Sequence, residues 1–179
     1  MLSGNQSKPL LVFITATLAL LLSACSAEER DQSAAETENE YVKAPEFEVE
    51  TVGGGTISLA QSLEENKPMV IYFTASWCPT CARNWPVLSE LYPEYQDRLN
   101  LVAISIDPTD DAGVIRELAE KEGFTFPSTK GHPDIMLDFG VSSQATTVAV
   151  NREGYITEVR SNTALSEDEF REMFESLLN

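Results

Sequence analysis

Hydrophobic and polar positions fall into blocks along the chain, and the blocks change period. Leu10 to Leu22 is an almost unbroken apolar run preceded by Lys8, shorter than the roughly twenty residues that a bilayer span requires. From Ser26 to Lys43 large apolar residues nearly vanish, so burial there cannot offset the entropy of ordering the backbone. Beyond about Tyr41 the pattern becomes that of a packed domain. Phe47 to Thr51 and Thr56 to Leu59 flank Gly53-Gly54-Gly55 and predict a hairpin, followed by a short helical turn over Ala60 to Glu65. Met69 to Thr74 and Leu101 to Ile106 are continuous apolar, β-branched runs, as in central strands buried on both faces.

Between those strands Trp85, Leu88, Leu91, Tyr92 and Tyr95 recur at helical spacing, with Pro86 inside the pattern, where it removes a backbone donor and kinks a helix. A second helix is expected from about Asp110 to Glu122. Thr147 to Val150 and Tyr155 to Val159 read as strands around the turn Asn151-Arg152-Glu153-Gly154. In the last helix Ser166 and Glu169 form a capping box, Leu165 staples to Phe170, and Phe170, Met173, Phe174, Leu177 and Leu178 make the apolar stripe. This alternation predicts an α/β fold: a central mixed β-sheet flanked by helices on both faces, with an N-terminal β-hairpin extension.

Composition narrows the function. The chain has 179 residues, 42% of them hydrophobic, enough for one domain with a real core. With 12 basic against 29 acidic residues its formal charge is -17, which repels phosphate backbones and excludes nucleic acid as a partner. Three cysteines and one histidine are too few for a disulfide-rich scaffold. Leu22-Ser23-Ala24-Cys25 resembles the lipobox of bacterial lipoproteins. That resemblance implies a signal peptide over residues 1–24, a lipid anchor on Cys25, an acidic flexible tether over 25–43 and a folded domain over 44–179. The mature protein is then exported and held at a membrane on the extracytoplasmic side of the bacterial envelope, where disulfides persist.

The chemistry sits at Trp77-Cys78-Pro79-Thr80-Cys81. Two cysteines three apart at a strand-to-helix junction can close a small disulfide, and the first lies where helix N–H groups favour a thiolate. Cys78 is then the nucleophile, and the better buried Cys81 resolves the mixed disulfide. Pro79 suits a first helical turn. The same spacing also forms half of a zinc site. Without a second such pair, a metal would need Cys78, Cys81, His132 and one further ligand, and no metal site is assigned.

From about residue 44 to 179 the chain resembles the thioredoxin-fold family, and within it the membrane-anchored TlpA/ResA-like thiol-disulfide oxidoreductases, or redoxins. The resemblance rests on Val70-Ile71-Tyr72-Phe73, on Ala75-Ser76-Trp77-Cys78-Pro79-Thr80-Cys81, on Pro86, and on Val141 through Gly154. It implies a thioredoxin-like fold and electron exchange between Cys78/Cys81 and client proteins carrying thiols or disulfides. It further implies a membrane electron donor or acceptor and no metal or organic cofactor. Substrate docking falls to Trp77, Pro79, Thr80, Gln144 and Ala145. Two positions depart from the family pattern: Ala145 stands where relatives carry a cis-proline, and Tyr72 where they carry a buried acid or amide. A trans Gln144–Ala145 peptide close to the dithiol is expected. Peroxiredoxins place threonine or serine three residues before the attacking cysteine. Here that residue is Ala75, so a peroxidase is not expected. His132 reads as a loop histidine, and Asp107 as a cap on the chain before Pro108. The competing reading is a redox-inert or metal-carrying binding module on the same fold.

Overall fold

The computed structural model describes residues 42–179; the apolar leader, Cys25 and nearly all of the acidic segment lie outside the described residues. A hairpin of β1 (Glu48–Glu50) and β2 (Thr56–Ser58) leads into α1 (Leu59–Glu64). Next come β3 (Met69–Thr74), α2 (Cys81–Tyr95), β4 (Asn100–Ser105) and α3 (Ala112–Glu122). The chain ends with β5 (Ser128–Gly131), α4 (Pro133–Asp138), β6 (Thr146–Val150), β7 (Ile156–Arg160) and α5 (Glu167–Leu178). The hairpin is a separate two-stranded sheet, and the other strands form one sheet in the order β5-β4-β3-β6-β7. Strand β3 pairs in parallel with β4 and antiparallel with β6, so the sheet is mixed.

Strand parity sorts the core into two layers. Met69, Ile71 and Phe73 of β3 face Val102, Ile104, Val148 and Val150 on one side, where Phe47, Val49, Leu59 and Ile135 cover them. Val70 and Tyr72 share the other side with Leu101, Ala103 and Ala149, beneath α2 and α5. The stripe read along α2 is that covering face: Trp85, Leu88, Leu91, Tyr92 and Tyr95 are all buried, although Pro86 and Pro93 both lie inside the helix. In α5 the Ser166 hydroxyl accepts from Glu169 N–H at 3.3 Å and the Glu169 carboxylate accepts from Ser166 N–H at 2.8 Å. Such a cap is worth about 1 kcal/mol, whereas each fully buried Phe or Leu contributes roughly 1.5–3 kcal/mol. Packing holds the helices, and caps fix where they start.

The structure departs from the sequence pattern at the sheet's far edge. Ser128-Thr129-Lys130-Gly131 carries no apolar run, yet it forms β5, an edge strand whose Ser128 and Thr129 are buried. A Cβ on Gly131 would stand 1.9 Å from the Asp107 carbonyl oxygen, so this crossing admits only glycine. Helix α3 starts at Ala112 rather than Asp110, because the Asp111 carboxylate accepts from Gly113 N–H at 2.7 Å and Val114 N–H at 2.9 Å. Asp110 is left outside the helix and buried.

Candidate active site

Strand β3 ends at Thr74, and a tight turn carries Ala75-Ser76-Trp77 to Cys78, whose N–H donates to the Ala75 carbonyl at 3.1 Å. Cys78 and Cys81 form a disulfide with their Cα atoms 5.2 Å apart. Thr80, immediately before α2, makes no side-chain cap. The sulfur supplies it: Cys78 Sγ accepts the Cys81 N–H at 3.0 Å, while the Cys78 carbonyl accepts the Ala82 N–H at 3.1 Å. Cys78 thus acts as the capping residue of α2, and Pro79 occupies the next position, where a missing N–H costs nothing. Both sulfur-bearing residues are buried, Cys78 at 2% exposure and Cys81 at 0%, while Trp77 is 58% exposed beside them. Pro79 is exposed, and Thr80 and Gln144 are half-buried.

Carboxylates at the C-terminal end of β4 hold the turn. Asp110 accepts from Ser76 N–H at 2.9 Å, from the Ser76 hydroxyl at 2.6 Å and from the buried Ser105 hydroxyl at 2.5 Å. Asp107 caps its own turn, accepting from Thr109 N–H at 2.8 Å and the Thr109 hydroxyl at 2.7 Å, and its other oxygen accepts from the Trp77 indole at 2.5 Å. The Thr109 backbone bond, then the Thr109 hydroxyl, then the indole, hold the Asp107 carboxyl below the usual carboxylate range. Asp107 therefore joins two jobs, capping the chain and orienting Trp77.

On the other side of the dithiol a second network begins at Asn84, buried one helical turn beyond Cys81. Its amide nitrogen donates to the Tyr72 hydroxyl at 3.1 Å and the Thr163 carbonyl at 3.0 Å, and its oxygen accepts from Leu165 N–H at 2.8 Å. Burial pushes the Tyr72 phenol above its ordinary value, so this position, where the family carries an acid or amide, holds a neutral hydroxyl at physiological pH. Ala145 is fully buried in the same apolar cluster as Cys78 and Cys81. Its φ of 54° lies in the left-handed region, and no cis peptide occurs among the described residues. The register pairs Thr146 with Phe73, which brings Ala145 beside the end of β3.

The remaining candidate is His132. It precedes α4, donates its backbone N–H to the Ser105 carbonyl at 2.7 Å and has a buried ring Nε2 with no partner among the described residues. Desolvation lowers its pKa. Among the described residues no group of three His, Cys, Asp or Glu side chains is arranged to hold a metal ion. Sequence reading passed over Asp110, Ser76, Asn84 and Thr163. Two signals were present: of the adjacent acids Asp110 and Asp111 only one can cap a helix, and Asn84 interrupts the apolar face of α2 next to Trp85.

The AhpC/TSA family model matches residues 42–159. Thioredoxin-like protein YneN of Bacillus subtilis is 29% identical over 122 residues, covering 68% of this chain and 71% of that protein. Thiol-disulfide oxidoreductase ResA of Geobacillus thermodenitrificans is 28% identical over 128 residues, covering 70% and 71%. Among solved structures, a thioredoxin-family thiol:disulfide interchange protein from Chlorobium tepidum superposes with a TM-score of 0.68 at 20% identity, over 78% of this chain and 97% of that one. MTB dsbF, solved in mixed oxidized and reduced forms, gives a TM-score of 0.63 at 25% identity over 73% and 94%. Together with the sheet order, these establish the thioredoxin-like fold.

Two outcomes follow from the geometry. Glycine adopts a left-handed backbone freely whereas proline's ring holds φ near −65°. Ala145→Gly should therefore stay within about 1 kcal/mol of the parent in urea unfolding, and Ala145→Pro should lose more than about 1 kcal/mol. For Asp107, a depressed carboxyl keeps the Trp77 contact at neutral pH and loses it only as pH falls through the depressed value. Trp77 fluorescence, taken as the difference from Trp77→Phe, should change with a midpoint below the ordinary 3.8; a midpoint above it would contradict the contact.

Proposed function

The chain belongs to the AhpC/TSA family and is a thiol-disulfide oxidoreductase; from that premise we propose that it exchanges electron pairs with cysteine pairs of client proteins through Cys78 and Cys81, anchored by a lipid on Cys25 at the extracytoplasmic side of a bacterial membrane. The observation that carries the chemistry is the capping bond from Cys81 N–H to Cys78 Sγ at 3.0 Å, at the start of the long helix α2. An N–H bond and the helix dipole both favour a negative sulfur there, the dipole by about 0.3–1 kcal/mol in exposed settings and up to about 2 when partly buried. Cys81, fully buried within the helix, has no such support.

In the reductive direction the Cys78 thiolate attacks one sulfur of a client disulfide. A Cys78–client S–S bond forms, and the client's other sulfur leaves as a thiolate that takes a proton. Cys81 then loses its proton and attacks Cys78 Sγ, releasing the second client thiolate and closing the Cys78–Cys81 bond. The client gains two electrons and the protein loses two. A membrane dithiol donor would restore the reduced pair, and the same steps reversed oxidise a client dithiol. Exposed Trp77 and Pro79, with half-buried Thr80 and Gln144, form the docking surface in this reading, whereas Ala145, expected from the sequence to share it, is fully buried and offers a client no surface.

The role assignment is checked by substitution. Cys78→Ser should abolish reduction of an insulin-type disulfide by at least a hundredfold. Cys81→Ser should accumulate a mixed disulfide with a client, visible as a thiol-sensitive band. If neither variant alters disulfide reduction, the exchange reading fails. Iodoacetamide should also label Cys78 before Cys81 in the reduced protein. The anchor is tested separately in fractionated cells, where Cys25→Ser should move the protein from membranes to the soluble fraction with exchange unchanged.

A further inference from the structure

We propose that Asn84 is a positioning residue that holds the Ala145 segment against the dithiol through the turn at residues 162–165. The proposal rests on the docking role given above to Gln144, and it assigns the interaction that keeps the Gln144–Ala145 segment in place.

Asn84 is fully buried, and its orientation is decided by partners of fixed chemistry: the Thr163 carbonyl can only accept, and the Leu165 N–H can only donate. One side chain of α2 thus grips two backbone groups across the β7–α5 connection. Thr163 passes the grip on, since its own N–H donates to the Ala145 carbonyl at 3.0 Å. A parallel stitch runs beside it, from Asn162 N–H to the Thr146 hydroxyl at 3.3 Å and from that hydroxyl to the Ser143 carbonyl at 2.8 Å. Two left-handed residues without glycine's freedom, Ala145 at 54° and Asn162 at 49°, stand on these joined turns. Asparagine visits such a backbone routinely, whereas alanine holds it only when its surroundings over-determine it.

Asn84 and Cys81 lie one helical turn apart on the same buried face of α2. The helix that carries the resolving sulfur therefore also carries the tether of the opposing segment, and the spacing between the two is set within one rigid element. Among the described residues Gln144 makes no hydrogen bond, so the position of that segment depends on the contacts made by Ser143, Ala145 and Thr146. Asn84 touches neither sulfur in the hydrogen-bond network, which makes its effect one of placement rather than of thiol chemistry.

The test uses Asn84→Ala, Ala145→Gly and their combination, with a disulfide-bonded peptide as substrate. Asn84→Ala should raise KM about tenfold with kcat and the equilibrium constant against glutathione changed less than twofold. Ala145→Gly, which takes the left-handed backbone without help, should restore KM of the double variant to within threefold of the parent. A loss confined to kcat, a shifted glutathione equilibrium, or a double variant no better than Asn84→Ala would each overturn the proposal. Should Asn84→Ala fail to fold by circular dichroism, Asn84→Ser takes its place under the same criteria. Amide exchange separates this proposal from the functional reading, because Thr163 N–H should exchange at least tenfold faster in the variant whether or not the protein reduces the peptide. An unchanged Thr163 rate overturns the tether, and a parent protein inert toward disulfides overturns the docking reading while leaving the tether standing.

Discussion

The sulfur of Cys78 is the cap of α2, and much of the site depends on that bond. A helix start needs acceptors for its first N–H groups, and Thr80 supplies none from its side chain. Using a cysteine for the purpose puts the reactive atom directly at the helix start. A thiolate accepts an N–H more strongly than a neutral sulfur, since charge-assisted bonds are roughly twice as strong as neutral ones. A reduced Cys78 that ionises would therefore hold the Cys81 N–H more strongly than the disulfide sulfur does.

That cap stays in register because both of its ends are anchored by burial. Strand β3 is enclosed on both faces and paired on both edges, so the point where Ala75 leaves the sheet is fixed. Helix α2 is fixed independently by its apolar stripe against Val70, Tyr72 and Leu101. The residues between these anchors form one turn, and Asp110 closes it from the neighbouring strand through Ser76 and Ser105. Hydrogen bonds to a charged group contribute about 1.5–3 kcal/mol each, comparable with a buried side chain, so this clamp matters to the turn as much as the packing on either side of it.

The elements that could be read from the sequence are those whose physics is local. Continuous apolar runs marked β3 and β4, helical spacing marked α2 and α5, and the Ser166/Glu169 pair marked the start of the last helix. The cysteine pair stood out because its chemistry needs only four consecutive residues. Strand β5 was missed because its Ser-Thr-Lys-Gly sequence has no intrinsic preference for a strand, and pairing with β4 imposes one. The clamps were missed for the same reason: Asp110 bonds to a residue 34 positions away, and Asn84 to residues about 80 away. Polar side chains gain their roles from the topology, which periodicity does not encode.

The two clamps differ in charge. Asn84 is neutral, so it can lie buried one turn from Cys81 and bind backbone without disturbing either sulfur. Asp107 and Asp110 are acids on the loop after β4 that bonds to Trp77 and Ser76, just before Cys78, and a carboxylate close to a thiolate disfavours the charged sulfur. A more stable thiolate stabilises the reduced pair and makes the disulfide a stronger oxidant, while nearby anions shift the balance toward the disulfide. Where the acidic loop sits relative to the sulfur therefore bears on the thiol-disulfide balance, as the helix end does.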